Sequence, residues 1–365
     1  QMTMGQLFGM NEVTLSVYRF GGCLDLERED IWERTLARLK GRLQAIAELD
    51  IRPEQFRGPA LFFHQDVCRH VRGVADAPSP VMMLRKRPLD AALPLLGFAT
   101  SYGRGPVTVL TAEEPHCLKQ EELEGLFSGG VLLDARAADS LVRMGRGELA
   151  GLRGRIADAG ASIETVEDEA FGAKRGEPMN IRWEGVPWQF ELMAGARPIS
   201  ALRDYEGRKA GHAVVLYENH LGGRTAVYPY DSQASTTVFG SEAGAMLSPS
   251  FLSWARQTQM LAVLEWLGRA PVPLLVVGAP SVFAVLIQQD GRLVIGVANL
   301  LADPVDSLTL RLAAPGFRVT GARWLTRRRG WARLRAVPRT ARGGIWMVRT
   351  GLRLGYLETA VVVLE

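Results

Sequence analysis

At 365 residues, with 47% hydrophobic residues and a formal net charge of +4, the chain is long enough for two or three domains with real cores. This balance excludes a disordered chain, and the 3 cysteines, Cys23, Cys68 and Cys117, are too few and too scattered for a disulfide framework or a paired-spacing zinc site. No uncharged apolar run of about 18 residues is present, and the first ten residues lack the basic-then-apolar order of a signal peptide, so the expectation is a cytoplasmic protein outside the membrane.

The first pattern is "EVTLSVYRF" (12–20), which alternates, is rich in β-branched residues and closes on Gly21 and Gly22; it reads as a strand. From Asp30 to Leu49, apolar Ile31, Leu36, Leu39, Leu43 and Ile46 recur at helical spacing, with Arg and Glu on the other face. One strand–helix unit cannot bury its own faces, so residues 1–72 read as the tail of a larger body or as a packing arm. A turn to Ala, Pro and Ser near Ala75–Pro80 marks a linker.

A βα alternation follows: a helix over Leu89–Leu96, a strand "VTVLT" (107–111), a helix over Lys119–Leu126, a strand "GGVLLD" (129–134) and a helix over 135–145. Short apolar strands between amphipathic helices predict a parallel sheet covered on both faces. Residues 161–230 are more strand-like, and 249–269 form a helix closed by Pro271 and Pro273. From Pro271 onward the helical period vanishes. "SVFAVLIQQDGRLVIGVANL" reads as a hairpin around Asp290-Gly291, and "LTLRLA", "GIWMVRT" and "ETAVVVLE" continue at short intervals, which predicts an antiparallel sandwich.

Charge is uneven. Between Ser307 and Leu357 stand twelve arginines and no carboxylate, with Trp324, Trp331 and Trp346 among them. A nucleic-acid surface would interleave such residues on one face. Over the whole chain Arg outnumbers Lys 38 to 5, so the run reads as a solvated strand face and nucleic acid is disfavoured as a partner.

Several residues invite chemical readings and favour structural ones. His116 and Cys117 are adjacent in "EEPHCLKQEEL", which by itself makes no nucleophile–base pair. At the strand-to-helix elbow of "FSGGVLLDARAA" stands Asp134, where an amidotransferase needs Cys. His64, Asp66, Cys68 and His70 would have to converge to hold a metal; a surface segment is the better reading. His212 is placed at a strand start, as a structural residue. In "VLYENHLGGRTAVYPYD" (215–231), two alternating runs flank a turn, so Glu218, Asn219 and His220 read as hairpin residues. Gly222 and Gly223 would supply positive φ, and Arg224 would pair with Glu218 across the strands. The residues imply no metal and no cofactor.

Four segments carry a family resemblance: "EVTLSVYRFGG", "LKQEELEGLFSGGVLLDARAADSLVRMGRGELAGL" (118–152), "YENHLGGRTAVYPYD" (217–231) and "IGVANLLADPVDSLTLRL" (295–312). In this order they resemble the C-terminal half of a bacterial β-galactosidase of glycoside hydrolase family 42, or of its β-mannosidase-like relatives. The resemblance implies the last strand–helix unit of a (β/α)8 barrel over 1–74, a flavodoxin-like or amidotransferase-like trimerisation domain over 75–270, and a β-sandwich over 271–365. It also implies that both catalytic carboxylates, which retaining glycosidases hold roughly 5 Å apart, lie on barrel strands upstream of Gln1. This chain would then supply trimer assembly and closure of the active-site rim, with Tyr18 and Arg19 as its substrate contacts at the end of the strand over 12–20. The alternative is a stand-alone, non-catalytic carbohydrate-binding or assembly protein.

Overall fold

Alternation of apolar side chains decides where each sheet buries its faces. In the computed structural model, residues 2–10, 26–66, 88–102, 105–158, 160–161, 163–172, 174–181, 186–231, 253–279, 281–326, 330–334, 337–341 and 344–365 are described. The strand expected over 12–20 and the linker near 75–80 lie outside these residues. Two helices come first, α1 (Met2–Leu7) and α2 (Leu26–Ala47). The second is the helix expected from Asp30, begun earlier.

A seven-stranded mixed sheet forms the middle of the molecule, in the order β2 (Ser101–Tyr102), β1 (Ala60–Leu61), β3 (Val107–Leu110), β4 (Gly130–Leu133), β13 (Arg224–Val227), β12 (Val215–Glu218), β9 (Arg197–Pro198). Its first part comprises β1 (Ala60–Leu61), helix α3 (Pro88–Leu95), β2 (Ser101–Tyr102), β3 (Val107–Leu110), α4 (Gln120–Phe127), β4 (Gly130–Leu133) and α5 (Ala135–Arg143). The pairs β1–β2, β1–β3 and β3–β4 are parallel. Helix positions agree with the periodicity to within about two residues, as expected where apolar spacing is strong.

Both faces of this sheet are covered, as its continuous apolar strands require. Val107, Val109 and Leu132 face a core with α3 and the later helix α6 (Trp254–Gly268), which contributes Met260, Val263 and Leu264. Leu110, Val131 and Leu133 face the other way, into a core with Phe127, Ala138 and Leu141. Asp134 caps α5: its carboxylate accepts from the Ala137 backbone N–H at 2.7 Å.

Between α5 and α6 the described regular elements are strands apart from two short 3-10 segments: β5 (Leu152–Asp158), β6 (Ile163–Val166), β7 (Pro178–Asn180), β8 (Val186–Leu192), β9 (Arg197–Pro198), β10 (Ser200–Arg203), β11 (Lys209–His212), β12 (Val215–Glu218), β13 (Arg224–Val227) and β14 (Tyr230–Asp231). Strands β12 and β13 are the expected hairpin, and β13 runs parallel to β4, which joins the hairpin to the main sheet. The remaining strands make two small antiparallel sheets, β11-β10-β6-β7 and β14-β8-β5.

After α6 come β15 (Leu274–Val276), β16 (Val282–Gln289), β17 (Arg292–Asn299), β18 (Thr309–Ala313), β19 (Ala322–Leu325), β20 (Trp331–Arg333), β21 (Val337–Ala341), β22 (Ile345–Arg349) and β23 (Thr359–Leu364). They form two antiparallel sheets, β15-β18-β22-β21 and β16-β17-β23-β19-β20. Leu310, Leu312 and Val348 from the first pack on Val282, Ala284, Ile295 and Val362 from the second, in one shared core.

The five-stranded sheet is buried on its other face as well. Val285, Ile287, Val294, Val361 and Val363 point away from the sandwich core and pack against Leu7 of α1, Ala45 and Ile46 of α2, and Leu49 just after it. Gly296 makes that contact possible, because a Cβ there would stand 2.6 Å from a Leu7 methyl carbon. Arg42 of α2 donates to the Thr359 carbonyl at 2.7 Å. The N-terminal helical pair is thus docked on the C-terminal sheet, a long-range contact that the sequence alone did not reveal.

Candidate functional site

The two residues expected to touch substrate, Tyr18 and Arg19, lie outside the described residues. Three other regions hold the polar side chains that the fold brings together.

The first is the carboxyl end of the parallel strands, where open α/β sheets place ligands. Here β4 runs into α5 through Asp134, which is fully buried. Its two carboxylate oxygens also accept from the Ala112 backbone N–H at 3.1 and 3.2 Å. The carboxylate therefore occupies the helix N-terminus that an anionic ligand would otherwise use. Beyond β3 the chain turns through a short 3-10 segment, Glu114–Cys117, after Ala112 at φ 54°. The Cys117 thiol faces its own turn, 3.9 Å from the Glu113 carbonyl oxygen. Arg136 lies 3.9 Å from Glu113 and 5.6 Å from the Trp188 ring centre, while Arg155 stacks on the same ring at 3.6 Å. This pole offers guanidinium groups and an aromatic face. Its strand-to-helix elbow carries a carboxylate engaged in capping, so acyl transfer of the amidotransferase kind has no nucleophile there.

The second region is the hairpin. Glu218 and Arg224 face each other in register, and the Arg224 Nε donates to Glu218 Oε1 at 2.8 Å, as expected from the sequence. A further bond from Arg224 reaches the Trp266 carbonyl at 2.8 Å, and its guanidinium lies 4.9 Å from the Trp266 ring centre. Asn219 is buried, donates to the Phe127 carbonyl at 2.9 Å and accepts from Leu221 and Gly223, which organises the turn. Gly222 has φ +78°. Gly223 corrects the expectation of a second positive φ: a Cβ there would lie 1.9 Å from the Phe127 carbonyl oxygen, so close approach is what demands glycine. This stretch is structural.

The third region was not anticipated. Glu164 on β6 and Arg256 on α6 form an ion pair at 2.7 Å with both side chains wholly excluded from solvent. Ser200 donates to Glu164 Oε1 and Tyr230 to Oε2, each at 2.5 Å, and the Gln259 amide reaches Oε1 at 2.8 Å. Arg256 also donates to Gln259 Oε1. Burial alone would push the Glu164 carboxyl up. The Arg256 charge, with hydrogen bonds from Arg256, Gln259 and Ser200, outweighs it and holds the group below the usual range. A carboxylate so satisfied and enclosed is no proton shuttle. One sequence signal could have pointed to it: Arg256, Gln257 and Gln259 interrupt an otherwise apolar helix face.

Other sequence candidates resolve separately. His64 Nδ1 accepts from the Asp66 backbone N–H at 3.1 Å, and Cys68 and His70 lie outside the described residues. Among the described residues, no group of three or more His, Cys, Asp or Glu side chains is placed to hold a metal ion. His212 ends β11 where a strand start was expected, and its backbone N–H donates to Gln189 Oε1 at 2.9 Å. Its pKa is lowered chiefly by burial and then by Lys209. In the arginine-rich region, Arg323 pairs with Glu365 at 3.0 Å and Arg311 with Glu265 at 2.7 Å; Arg327, Arg328 and Arg329 lie outside the described residues. No described helix is long and apolar enough to cross a membrane.

No protein-family description and no curated protein matches the chain. Its fold is similar to that of α-L-fucosidase isoenzyme 2 from Paenibacillus thiaminolyticus, at 13% identity and a TM-score of 0.53, over 88% of this chain and 51% of that one. It is also similar to a β-galactosidase from Rahnella sp. R3, at 13% identity and a TM-score of 0.50, over 91% of this chain and 44% of that one. The chain spans about half the length of these structures. At this identity the likeness is one of fold, and it lies with glycoside hydrolases.

Proposed function

We propose that this chain is the C-terminal portion of a glycoside hydrolase of the β-galactosidase kind. In this reading residues 1–74 end a (β/α)8 barrel, 75–270 form an amidotransferase-like trimerisation domain and 271–365 a β-sandwich. The single observation that carries the proposal is the coverage: 91% of this chain matches only 44% of the Rahnella β-galactosidase. The hydrolytic carboxylate pair belongs to an upstream barrel, and this portion assembles the trimer and closes the active-site rim, where Tyr18 and Arg19 contact the sugar. β-Galactosides or β-mannosides are the substrate class, no cofactor is needed, and the enzyme works in the cytoplasm.

The test is the intact mass of the native protein in its source cells, detected with an antibody against the 218–231 hairpin. A mass well above 40.0 kDa, with hydrolysis of aryl β-galactosides or β-mannosides by the full protein, supports the proposal. A native chain of 40.0 kDa overturns it in favour of a stand-alone binding or assembly protein.

A further inference from the structure

The two small antiparallel sheets meet where β11 ends against β8. There the side chain of Gln189 on β8 bonds the backbone of His212 as a neighbouring strand would: its Oε1 accepts from the His212 N–H at 2.9 Å and its Nε2 donates to the His212 carbonyl at 2.9 Å. Gly211 admits this clasp, because a Cβ there would stand 2.1 Å from Gln189 Oε1. The bond from Tyr230 to Glu164 joins the same two sheets independently, so the clasp can open without the sheets parting.

The His212 imidazole lines a cavity of about 10 Å³, whose other walls include Leu152, Trp188, Phe190, Val215 and Val227. That is about the least space that holds one water. Among the described residues His212 is the one titratable group in its lining. Its Nδ1 is buried and has no hydrogen-bond partner among the described residues. That arrangement costs least while the ring is neutral. An imidazolium carries a proton on both nitrogens, and the Nδ1 proton would face no acceptor. The surrounding elements bring no remedy: β8 presents Trp188 and Gln189, and β10 presents Ala201 opposite His212. Lys209 on the same strand repels a second positive charge, and Glu167, which would attract it, is held by Lys209 at 3.2 Å. Burial first, and then Lys209, lower the His212 pKa.

We propose that His212 is a proton-operated latch between the two small sheets: the neutral ring closes the cavity wall and keeps the Gln189 clasp shut, and the protonated ring leaves the wall and lets the clasp open. The folded pKa lies below the unfolded value of about 6.5. The latch is therefore fully closed above about pH 6.5 and loosens as the pH falls through the folded value.

This inference does not depend on the glycosidase reading. Hydrogen exchange of the full chain, followed by mass spectrometry from pH 7.5 to 5 and corrected for the intrinsic pH dependence of exchange, is the test. Exchange over 186–192 and 209–215 should quicken below about pH 6.5, by up to about tenfold per pH unit, the limit for one proton, and then level off. His212→Phe keeps a neutral ring in the wall and should abolish the acid response. Lys209→Met removes the like charge and frees Glu167, so it should move the onset to higher pH. Titration of 13C-labelled histidines, with His212 assigned by its absence in His212→Phe, or by its shift in Lys209→Met should the first variant fail to fold, should place its midpoint below about 6.5. A midpoint at or above that value, exchange in the parent that ignores pH, or an acid response that persists in His212→Phe would each overturn the proposal.

Discussion

Arg256 and Glu164 meet 2.7 Å apart, in full burial, and tie the helix that closes the main sheet to the small sheet built on β6. Removing one partner leaves a charge without water or counter-charge. Arg256→Met or Glu164→Gln should therefore cost about 3–5 kcal/mol, read as a lower urea midpoint. Replacing both by apolar residues should recover part of the loss. Ser200, Tyr230 and Gln259, which all donate to Glu164, would still lack that acceptor.

The same pair predicts an acid limb. The folded Glu164 carboxyl lies below its unfolded value, so its contribution is present above about pH 4.3 and is lost as the pH falls through the folded value. The gap in urea midpoint between the parent protein and Glu164→Gln should be constant at neutral pH and narrow below about pH 4.3. A gap that widens on acidification would contradict the assignment.

Gly222 and Gly223 should answer differently to the same change. At Gly222 an added Cβ meets open space, and the cost is the positive φ of +78°, about 1–2 kcal/mol for Gly222→Ala. At Gly223 it meets backbone oxygens at 1.9 and 2.6 Å, which cannot move without shifting strand β4 or the end of α4. Gly223→Ala should cost about 3 kcal/mol or more. Thermal unfolding of the two variants side by side gives the ranking.

Across the hairpin, Glu218→Ala should lose less than about 1 kcal/mol, since its side chain is 56% exposed. Arg224→Ala should lose more, about 1–2 kcal/mol, because the stack on Trp266 and the bond to its carbonyl disappear too. Equal effects would mean that the ion pair alone matters.

These predictions also separate what the sequence disclosed from what it hid. Helices α3 to α6 and the strand pairs β12–β13 and β16–β17 are legible because each repeats its apolar period within a short window and ends on turn chemistry. The cross-strand pair of Glu218 and Arg224 follows from the same local register. The small sheets built from β5 to β8, β10, β11 and β14 are not assigned strand by strand, because their partners are set by distant packing and several are only two to four residues long. Helix α1 has six residues, too few to show a period; it is closed by Gly9 at φ +76°, with the Met10 N–H donating to the Gly5 carbonyl at 3.0 Å, and Leu7 is seated against Gly296. Glu164 and Arg256 stand 92 residues apart, and each alone looks like an ordinary surface charge. Only the fold shows that they share one dry site.

The five-stranded sheet, lined on one side by Ala284 and Ile295 and on the other by Val285 and Val294, acts as a party wall between two compartments. Neither compartment can be opened without wetting the wall. A protease nick between α2 and β1 that released the first fifty residues would leave Val285, Ile287, Val361 and Val363 as a bare adhesive plane, and the remnant should precipitate. For anyone dissecting the chain into pieces, the shortest soluble C-terminal fragment therefore has to carry the N-terminal helices with it, by fusion or by co-expression.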